Sequence, residues 1–514
     1  MKPFLKSAAV MSFGTLLSRI SGFFRDIFIA KYLGSGFYSD VFFLALKIPN
    51  FFRQLFAEGA FNSAFTPIFA SGVQSHGKEK MMIFARNIFS ILLYFLLLFT
   101  LVAEIGMPYL IYIIAPGFIG DKEKVDMLVI LARITFPYLI FISTVSFMSG
   151  ILNTFNKFFV VSVVPIILNV TIMFTVILFG HFSKNSIIVA MSYAVSVAGL
   201  LQLLFILYFT LKEKVLLYPV FPRITKTTKT FFSKFTSSFI SCGVVQINSM
   251  TDSIVATIIP GAVSMLYYGD RVSQFPLSLI GTAIGISILP TLSQTMSKKG
   301  DKNEAQNIQE EAIFFSCFLG IPAAVGLFTL SNTIIEVLFQ RGQFTAENTM
   351  QVAMILKIYA VALPFFIMSK IFQTIFFAKK DTKTPMKNSI HCLLLNLICG
   401  LILVFIIGAN GIALATTISS IFGASSLFYK LIKNKIFVFS ENLKLKLTKI
   451  MYSVIVMASV IYSINLLLME FNAMAIIRLF IAGGLGGGLF LLLSHFLNIL
   501  NLKDVAAMIS TKKS

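Results

Sequence analysis

Charge is what this sequence has least of. Asp, Glu, Lys and Arg make up 12% of its 514 residues, against about 25% in soluble domains. Cysteine and histidine are sparse, with four of each. Cys242, Cys317, Cys392 and Cys399 all fall in apolar stretches and form no CxxC pair. They read as small buried side chains rather than as a disulfide framework or metal ligands. His76, His181, His391 and His495 are scattered, so no zinc constellation can be assembled. Long polar loops are absent as well: none exceeds about 25 residues, which leaves no room for a soluble catalytic domain. No nucleophile, metal or nucleotide motif is found, so neither an enzyme nor a cofactor is expected. The first apolar run is interrupted by Arg19 and Arg25 and lacks the short continuous core of a cleavable signal peptide.

Apolar sequence fills the remainder. Hydrophobic residues are 57% of the chain and mean hydropathy is +0.89. Most apolar runs exceed the ~20 residues a helix needs to cross a bilayer, so the fold class is an all-α polytopic membrane protein. Polar breaks delimit about 14 transmembrane helices: 8–32, 38–70, 87–108, 127–152, 158–180, 187–210, 235–259, 264–295, 313–335, 350–377, 386–407, 411–429, 450–469 and 475–498. Pro49 predicts a break in the second, tolerable where the freed backbone groups face protein or a watery cavity.

Net charge is +21, and its placement decides what it means. Alternate loops, counted from the N-terminus, hold 28 Lys and Arg, whereas the intervening loops hold only Lys31, Lys122, Lys124, Lys184 and Arg341. The positive-inside rule then puts both termini in the cytoplasm, in agreement with an even number of spans. The basic charge is a topology signal, and no nucleic-acid partner is expected.

The chain also resembles itself. The segment around Pro137 is similar to that around Pro364, "IILN" ending at Asn169 to "LLLN" ending at Asn396, Gly34 pairs with Gly261, and Pro67 with Pro290, at offsets of 223–227 residues. Six helices fill one period, so both copies keep the same orientation, and a site is expected between them. The expected organisation is an N-lobe of helices 1–6 (1–225), a C-lobe of helices 7–12 (226–440), and helices 13–14 with a cytoplasmic tail (441–514). Helix 14 carries "GGLGGG" at Gly483–Gly488. Such a run allows close helix packing, or a smooth lipid-facing groove for a long hydrocarbon chain.

Nine cations fall inside predicted spans: Arg19, Arg25, Lys47, Arg53, Arg133, Arg271, Lys357, Lys370 and Arg478. A charge at the bilayer centre costs at least ~2.5–3.5 kcal/mol and needs a partner or a watery cavity. Arg133, Lys357 and Arg478 lie near predicted outer ends and can snorkel. The other six are deeper. Six of the chain's nine arginines fall in spans while most lysines go to loops, which points to sites that need the planar guanidinium fork for carboxylate or phosphate. Asp26, Asp40, Glu58, Asp252 and Asp270 lie nearby in sequence. The plain alternative is internal ion pairing, Arg271 with Asp40 or Arg53 with Glu58. Asp40, Lys47 and Gln54 recur every seven residues, with Asn50 three after Lys47, giving one polar stripe on helix 2. Arg19 and Arg25, six apart, do not share a helix face, although a kink at Gly22 would turn both inward. A positive cavity between lobes implies an anionic substrate.

Four segments carry a resemblance: "LLSRISGFFRDIFIAKYLGSG", "SDVFFLALKIPNFFRQLFAEGAFNSAFTPIFA", "YYGDRVSQFPLSLIGTAIGISILPTLS" and "LFQRGQFT". In order along most of the chain they resemble the MurJ (MviN) lipid II flippase family of the MOP exporter superfamily. The resemblance implies movement of an undecaprenyl-pyrophosphate-linked disaccharide-pentapeptide from the cytoplasmic to the periplasmic leaflet of a bacterial inner membrane. It matches Arg19, Arg25, Arg53 and Arg271 to the family's cavity arginines and Asp40 to its important aspartate, and it assigns the lipid tail to the last two helices. With the helix 2 stripe, the expected substrate-binding set is Arg19, Arg25, Arg53, Arg271, Asp40, Lys47, Asn50 and Glu58. No metal site is expected; Asp252 is the one candidate for a coupling cation. Expected partners are lipid II, membrane lipids and cell-wall synthesis proteins. Two alternatives stay open: a flippase for another polyprenyl-pyrophosphate glycan, and a multidrug or cation antiporter of the same superfamily, which would have an acidic or apolar cavity.

Overall fold

The computed structural model describes residues 2–297 and 302–499. Lys298, Lys299, Lys503, Lys512 and Lys513 of the loop charge count lie outside the described residues. The chain is all-helical. Its helices are α1 (Lys2–Leu33), α2 (Phe37–Arg53), α3 (Ala60–His76), α4 (Lys78–Ile114), α5 (Lys122–Thr135), α6 (Tyr138–Thr154), α7 (Phe158–Phe179), α8 (Lys184–Lys212) and α9 (Lys226–Ala256). They continue as α10 (Ala262–Ser297), α11 (Lys302–Thr329), α12 (Ser331–Phe339), α13 (Ala346–Ala378), α14 (Lys383–Ile407), α15 (Ala409–Lys433), α16 (Glu441–Glu470) and α17 (Ala475–Phe496). Every predicted span coincides with one of these helices or with a consecutive pair.

Among the described residues, ten helices are long and apolar enough to cross a membrane. The predicted spans that fall short are the first two of each six-helix set: α1, α2–α3, α9 and α10. These are the helices that hold Arg19, Arg25, Lys47, Arg53, Asp252 and Arg271.

Three spans are built differently from the expectation. Helix α2 runs straight through Pro49, and the irregularity comes later, as a π-helical turn over Gln54–Gly59 that leads into α3. Proline at 49 denies the Ala45 carbonyl its helical N–H, and the Thr135 hydroxyl donates to that carbonyl at 3.1 Å, so the helix can continue in a buried setting. The span read as 127–152 is two helices, α5 and α6, interrupted at Phe136–Pro137, and the Ser196 hydroxyl donates to the Ile134 carbonyl there at 2.5 Å. The span read as 313–335 starts earlier, at Lys302, and divides at Leu330 into α11 and α12. Helix α1 runs unbroken through Gly22.

Contact density separates two compact units, residues 1–264 with 341–344, and residues 265–340 with 345–514. In the first, α1 packs on α7, α7 on α8, α6 on α8, α4 on α6, and α9 on α3. Phenylalanine fills much of this unit: Phe52, Phe56, Phe95, Phe99 and Phe239 surround the π-helical turn in stacked and edge contacts, and Phe61, Phe65, Phe147 and Phe231 continue the chain of rings. In the second unit, α14 packs on α15, α13 on α15 and α11 on α13, while α16 and α17 pack on each other and fasten to α11 and α12. Helices 5–6, 4–6 and 3–4 of each six-helix set are therefore partnered alike. The contact units place α9 with the first set.

The likeness of the two halves extends to single hydrogen bonds. Asp121 caps α5 through the Lys124 amide, a bond that also holds the Asp121 carboxyl below the usual carboxylate range. Thr345 caps α13 in the corresponding place, with a reciprocal capping box through Asn348. The Asn87 carboxamide on α4 accepts from the Arg223 amide at 2.7 Å and donates to the Arg223 carbonyl at 2.6 Å. On α11 the Gln306 carboxamide accepts from the Val438 amide at 3.2 Å and donates to the Val438 carbonyl. Each clamp ties the segment that follows a sixth helix back to the third helix of its own set.

Candidate functional site

Arg19 and Arg25 differ as their spacing predicts: Arg19 is exposed and Arg25 is 8% exposed. The Arg25 guanidinium pairs with the neighbouring Asp26 through two nitrogens, Nε at 3.0 Å and Nη2 at 2.7 Å from Oδ1. Its Nη1 donates to Asn169 Oδ1 on α7 at 3.1 Å. The amide group of Asn169 donates in turn to the Ser21 hydroxyl at 2.8 Å and the Ser18 carbonyl at 3.2 Å. Asn169 is thus held from α1 and holds Arg25 to it. In the sequence this residue stands out only as a repeat marker; the usable signal was a carboxamide inside a run of valine, isoleucine and leucine.

A second arginine is oriented in the same way. Arg53, at the end of α2, pairs with Glu58 on the π-helical turn and donates from Nε to Asn50 Oδ1 at 3.1 Å. Asn50 is fixed by donating to the Leu46 carbonyl at 2.8 Å. The π-helical turn adds one residue to the helical repeat, and Glu58, five residues on, reaches Arg53. Lys47, earlier on α2, donates to the Ser249 carbonyl at 2.7 Å and to the Ser253 hydroxyl, which ties the polar stripe to α9.

Asp40 is 2% exposed. Its two carboxylate oxygens accept from the Gly261 amide at 2.7 Å and the Ser264 amide at 2.8 Å. It caps the start of α10, where backbone N–H groups have no helical acceptor and the helix dipole favours negative charge. Asp40 therefore organises the α9–α10 turn. The expectation that it pairs with Arg271 named a different use for the same carboxylate.

Arg271 lies in the second unit, half-buried on α10, and the adjacent Asp270 accepts from Gln274 at 3.1 Å. Lys370 on α13 lays its stem along the same helix: a Cβ at Gly281 would lie 3.3 Å from Lys370 Cδ. Asp252 is half-buried on α9, and among the described residues no group of three or more His, Cys, Asp or Glu is placed to hold a metal ion. Arg478 does not snorkel as expected. It is 9% exposed and pairs with Glu336 on α12 at 2.8 Å, because α17 docks on α12 and brings the two charges together. Arg133, by contrast, is exposed and donates to the Glu104 carbonyl.

The glycine run of α17 serves two faces. A Cβ on Gly486 would sit 2.2 Å from the Ile461 side chain of α16, so this glycine allows close packing. Gly484, Gly487 and Gly488 face open space.

Comparison with known proteins agrees with this geometry. The sequence profile described as "Lipid II flippase MurJ" matches residues 29–481. A "Probable lipid II flippase MurJ" of Rhizobium tropici is 38% identical over 450 residues, covering 87% of this chain and 84% of that protein. A protein of the same description from Rickettsia prowazekii (strain Madrid E) is 34% identical, covering 91% of each chain. Among solved structures, "Lipid II flippase MurJ, inward closed conformation" superposes with a TM-score of 0.81 at 27% identity, covering 95% of this chain and 98% of that one. An inward-facing multidrug-resistance MATE transporter of the MOP superfamily gives a TM-score of 0.66 at 13% identity over 83% of this chain, a likeness of fold alone.

Proposed function

The chain belongs to the lipid II flippase MurJ family, and we propose that it carries lipid II from the cytoplasmic to the periplasmic leaflet by alternating access. The lobes are helices 1–6 and 7–12, both termini are cytoplasmic, and the pyrophosphate is held by Arg19, Arg25, Arg53 and Arg271, with Lys47 beside them. The observation that carries this reading is the repeated arrangement of a deep arginine with a carboxylate and a carboxamide: Arg25 with Asp26 and Asn169, and Arg53 with Glu58 and Asn50.

The arrangement does two things. The carboxylate offsets the cost of keeping a guanidinium inside the membrane while the site is empty. The carboxamide, a neutral acceptor, fixes the plane of the guanidinium without cancelling its charge, so that its fork is already oriented when a phosphate arrives. An arginine neutralised by two carboxylates would keep its burial cost offset but would offer an anion no net positive charge. Asn50 and Glu58 then act through Arg53, and Asp40 acts through the position of α10. The polyprenyl tail lies along the open glycine face of α17 while the headgroup crosses. A ligand shifts the equilibrium between the two access states only by binding one better than the other; the pyrophosphate does so by bringing the cations of the two lobes together. A membrane potential negative inside favours outward movement of the anion by about 2.3 kcal/mol per charge per 100 mV.

The test is native mass spectrometry of the purified protein with lipid II, a polyprenyl-pyrophosphate O-unit and a cationic drug, on wild type and Arg25→Ala. Selective binding of lipid II, weakened at least tenfold in the variant, is expected. Equal binding of both polyprenyl lipids would remove the claim to lipid II, and binding of the drug alone would return the chain to the antiporter class.

A further inference from the structure

Helices α7 and α8 pack on each other within the first unit, yet they leave a groove of about 670 Å³ between them. That is the volume of a small-molecule site. The sequence accounts for the gap. Ser186, Ala190 and Ala194 line it one turn apart on α8, and Thr171 and Thr175 one turn apart on α7. Both walls are therefore built of short side chains. Their polar atoms are satisfied beside them: the Thr171 hydroxyl donates to the Ile167 carbonyl at 2.8 Å, and the Thr175 hydroxyl to the Thr171 carbonyl at 2.9 Å. The Ser186 hydroxyl shares a hydrogen bond with Ser183 at 2.9 Å. A groove satisfied in this way asks for no hydrogen bond from its occupant and suits hydrocarbon.

Its length says how much hydrocarbon. At 1.5 Å per residue the α7 wall, Thr171 to Phe179, is about 12 Å long and the α8 wall, Asn185 to Val197, about 18 Å. Half of the bilayer's hydrocarbon core is about 15 Å, so the groove covers one leaflet. It ends at the α7–α8 turn, beside the first turn of α8, where Lys184 is the one Lys or Arg between Thr171 and Val197. We propose that this groove holds one acyl chain of an anionic phospholipid of the periplasmic leaflet, with the lipid phosphate against Lys184. The inference rests on the topology in the reading above, which puts the α7–α8 turn outside. A partner's transmembrane helix is a poorer fit, because it needs a contact that runs through both leaflets. A polyprenyl carrier has a tail longer than one leaflet, and the open glycine face of α17, in the other unit, is the surface assigned to it above.

The experiment places the full chain in vesicles containing phosphatidylglycerol with a photoreactive diazirine on one acyl chain, and maps the adducts by peptide mass spectrometry. Adducts on 171–179 and 185–197 are expected to exceed at least fivefold those on α14, where Ile398 and Phe405 are equally open to lipid. Ala190→Phe, which fills the groove, is expected to lower them at least fivefold and leave α14 unchanged. Lys184→Gln, at the helix end, is expected to lower them at least threefold. Even labelling along all lipid-facing helices, or unchanged labelling in both variants, would overturn the site. Displacement by undecaprenyl phosphate but not by unlabelled phosphatidylglycerol would overturn the choice of occupant. A membrane-impermeant maleimide on whole cells is expected to reach Phe182→Cys from outside. If the groove labels as expected but this cysteine is reached only from the cytoplasm, the acyl-chain groove stands, while the topology and the periplasmic leaflet fall.

Discussion

Replacing Asp40 by asparagine changes almost no volume and removes one acceptor from a place that needs two. The carboxylate takes the Gly261 and Ser264 N–H groups at 2.7 and 2.8 Å while only 2% exposed. Asparagine can offer its oxygen to one of them; its NH2 then points at the other, donor against donor. A hydrogen bond to a charged partner contributes about 1.5–3 kcal/mol, and the lost charge at the start of α10 adds about 0.3–1 kcal/mol. The closed form of the α9–α10 turn should therefore weaken by about 2–4 kcal/mol, which is roughly 30-fold to 700-fold in its opening equilibrium. The other contacts of α9 do not involve Asp40, so the effect should stay local. Hydrogen exchange read by mass spectrometry on peptides covering 257–266 tests this. In Asp40→Asn, protection at Gly261–Ser264 should fall by at least 30-fold, with peptides of α7 and α8 unchanged, and growth should fail when the variant is the sole copy although it is present in the membrane. Wild-type protection at these amides would refute the capping role. A general loss across the first unit would show that the aspartate supports the whole fold instead.

Two further outcomes are expected. Asn169→Asp should weaken lipid II binding more than Asn169→Ala, because it gives Arg25 a second carboxylate where Ala only loosens it by about tenfold; equal affinity of the Asp variant and wild type in the same titration would show that neutrality at 169 is irrelevant. Gly486→Ala should lower the thermal midpoint in detergent, as overpacking costs about 1–3 kcal/mol, whereas Gly487→Ala faces open space and should leave it unchanged or raise it; the same shift in both would contradict the two-faced reading of the run.

The helical class and the approximate extent of the spans were legible because bilayer thickness imposes its length on the apolar runs. Where helices actually break was less so. Pro49 and Pro137 look alike in sequence, yet α2 passes through the first and α5 stops before the second. The hydroxyl that accommodates Pro49 comes from Thr135, 86 positions further on; no local pattern encodes it. The deep arginines announced themselves by being charged in apolar sequence, and the pairing of Arg53 with Glu58 was open as an alternative. Asn169 and Asn50 show the limit. A neutral amide in a membrane helix draws attention only once its partner is known, and for Arg25 that partner lies on another helix. Arg478 failed for a related reason: its nearness to a helix end was visible, but the carboxylate waiting on α12 was not.

The carboxamide clamps bear on the order in which the protein can be assembled. Every partner of the first, Asn87, Arg223 and Thr228, is contained in the N-terminal 228 residues. Once the start of α9 has left the ribosome, the first six helices can be tied off through Asn87 while most of the second set is still to be made. Domains that fold as they are synthesised do so from the N-terminus, and here the chain supplies its own fastening at the right moment. The second clamp, from Gln306 to Val438, can close the other set in the same way, as the chain just before α16 becomes free. The contact of Gln343 with Lys31 spans more than 300 residues and must wait for both. A nascent chain arrested late enough for residue 228 to have cleared the ribosome should already resist proteolysis at the 213–225 segment, because that segment can be fastened to Asn87 by then.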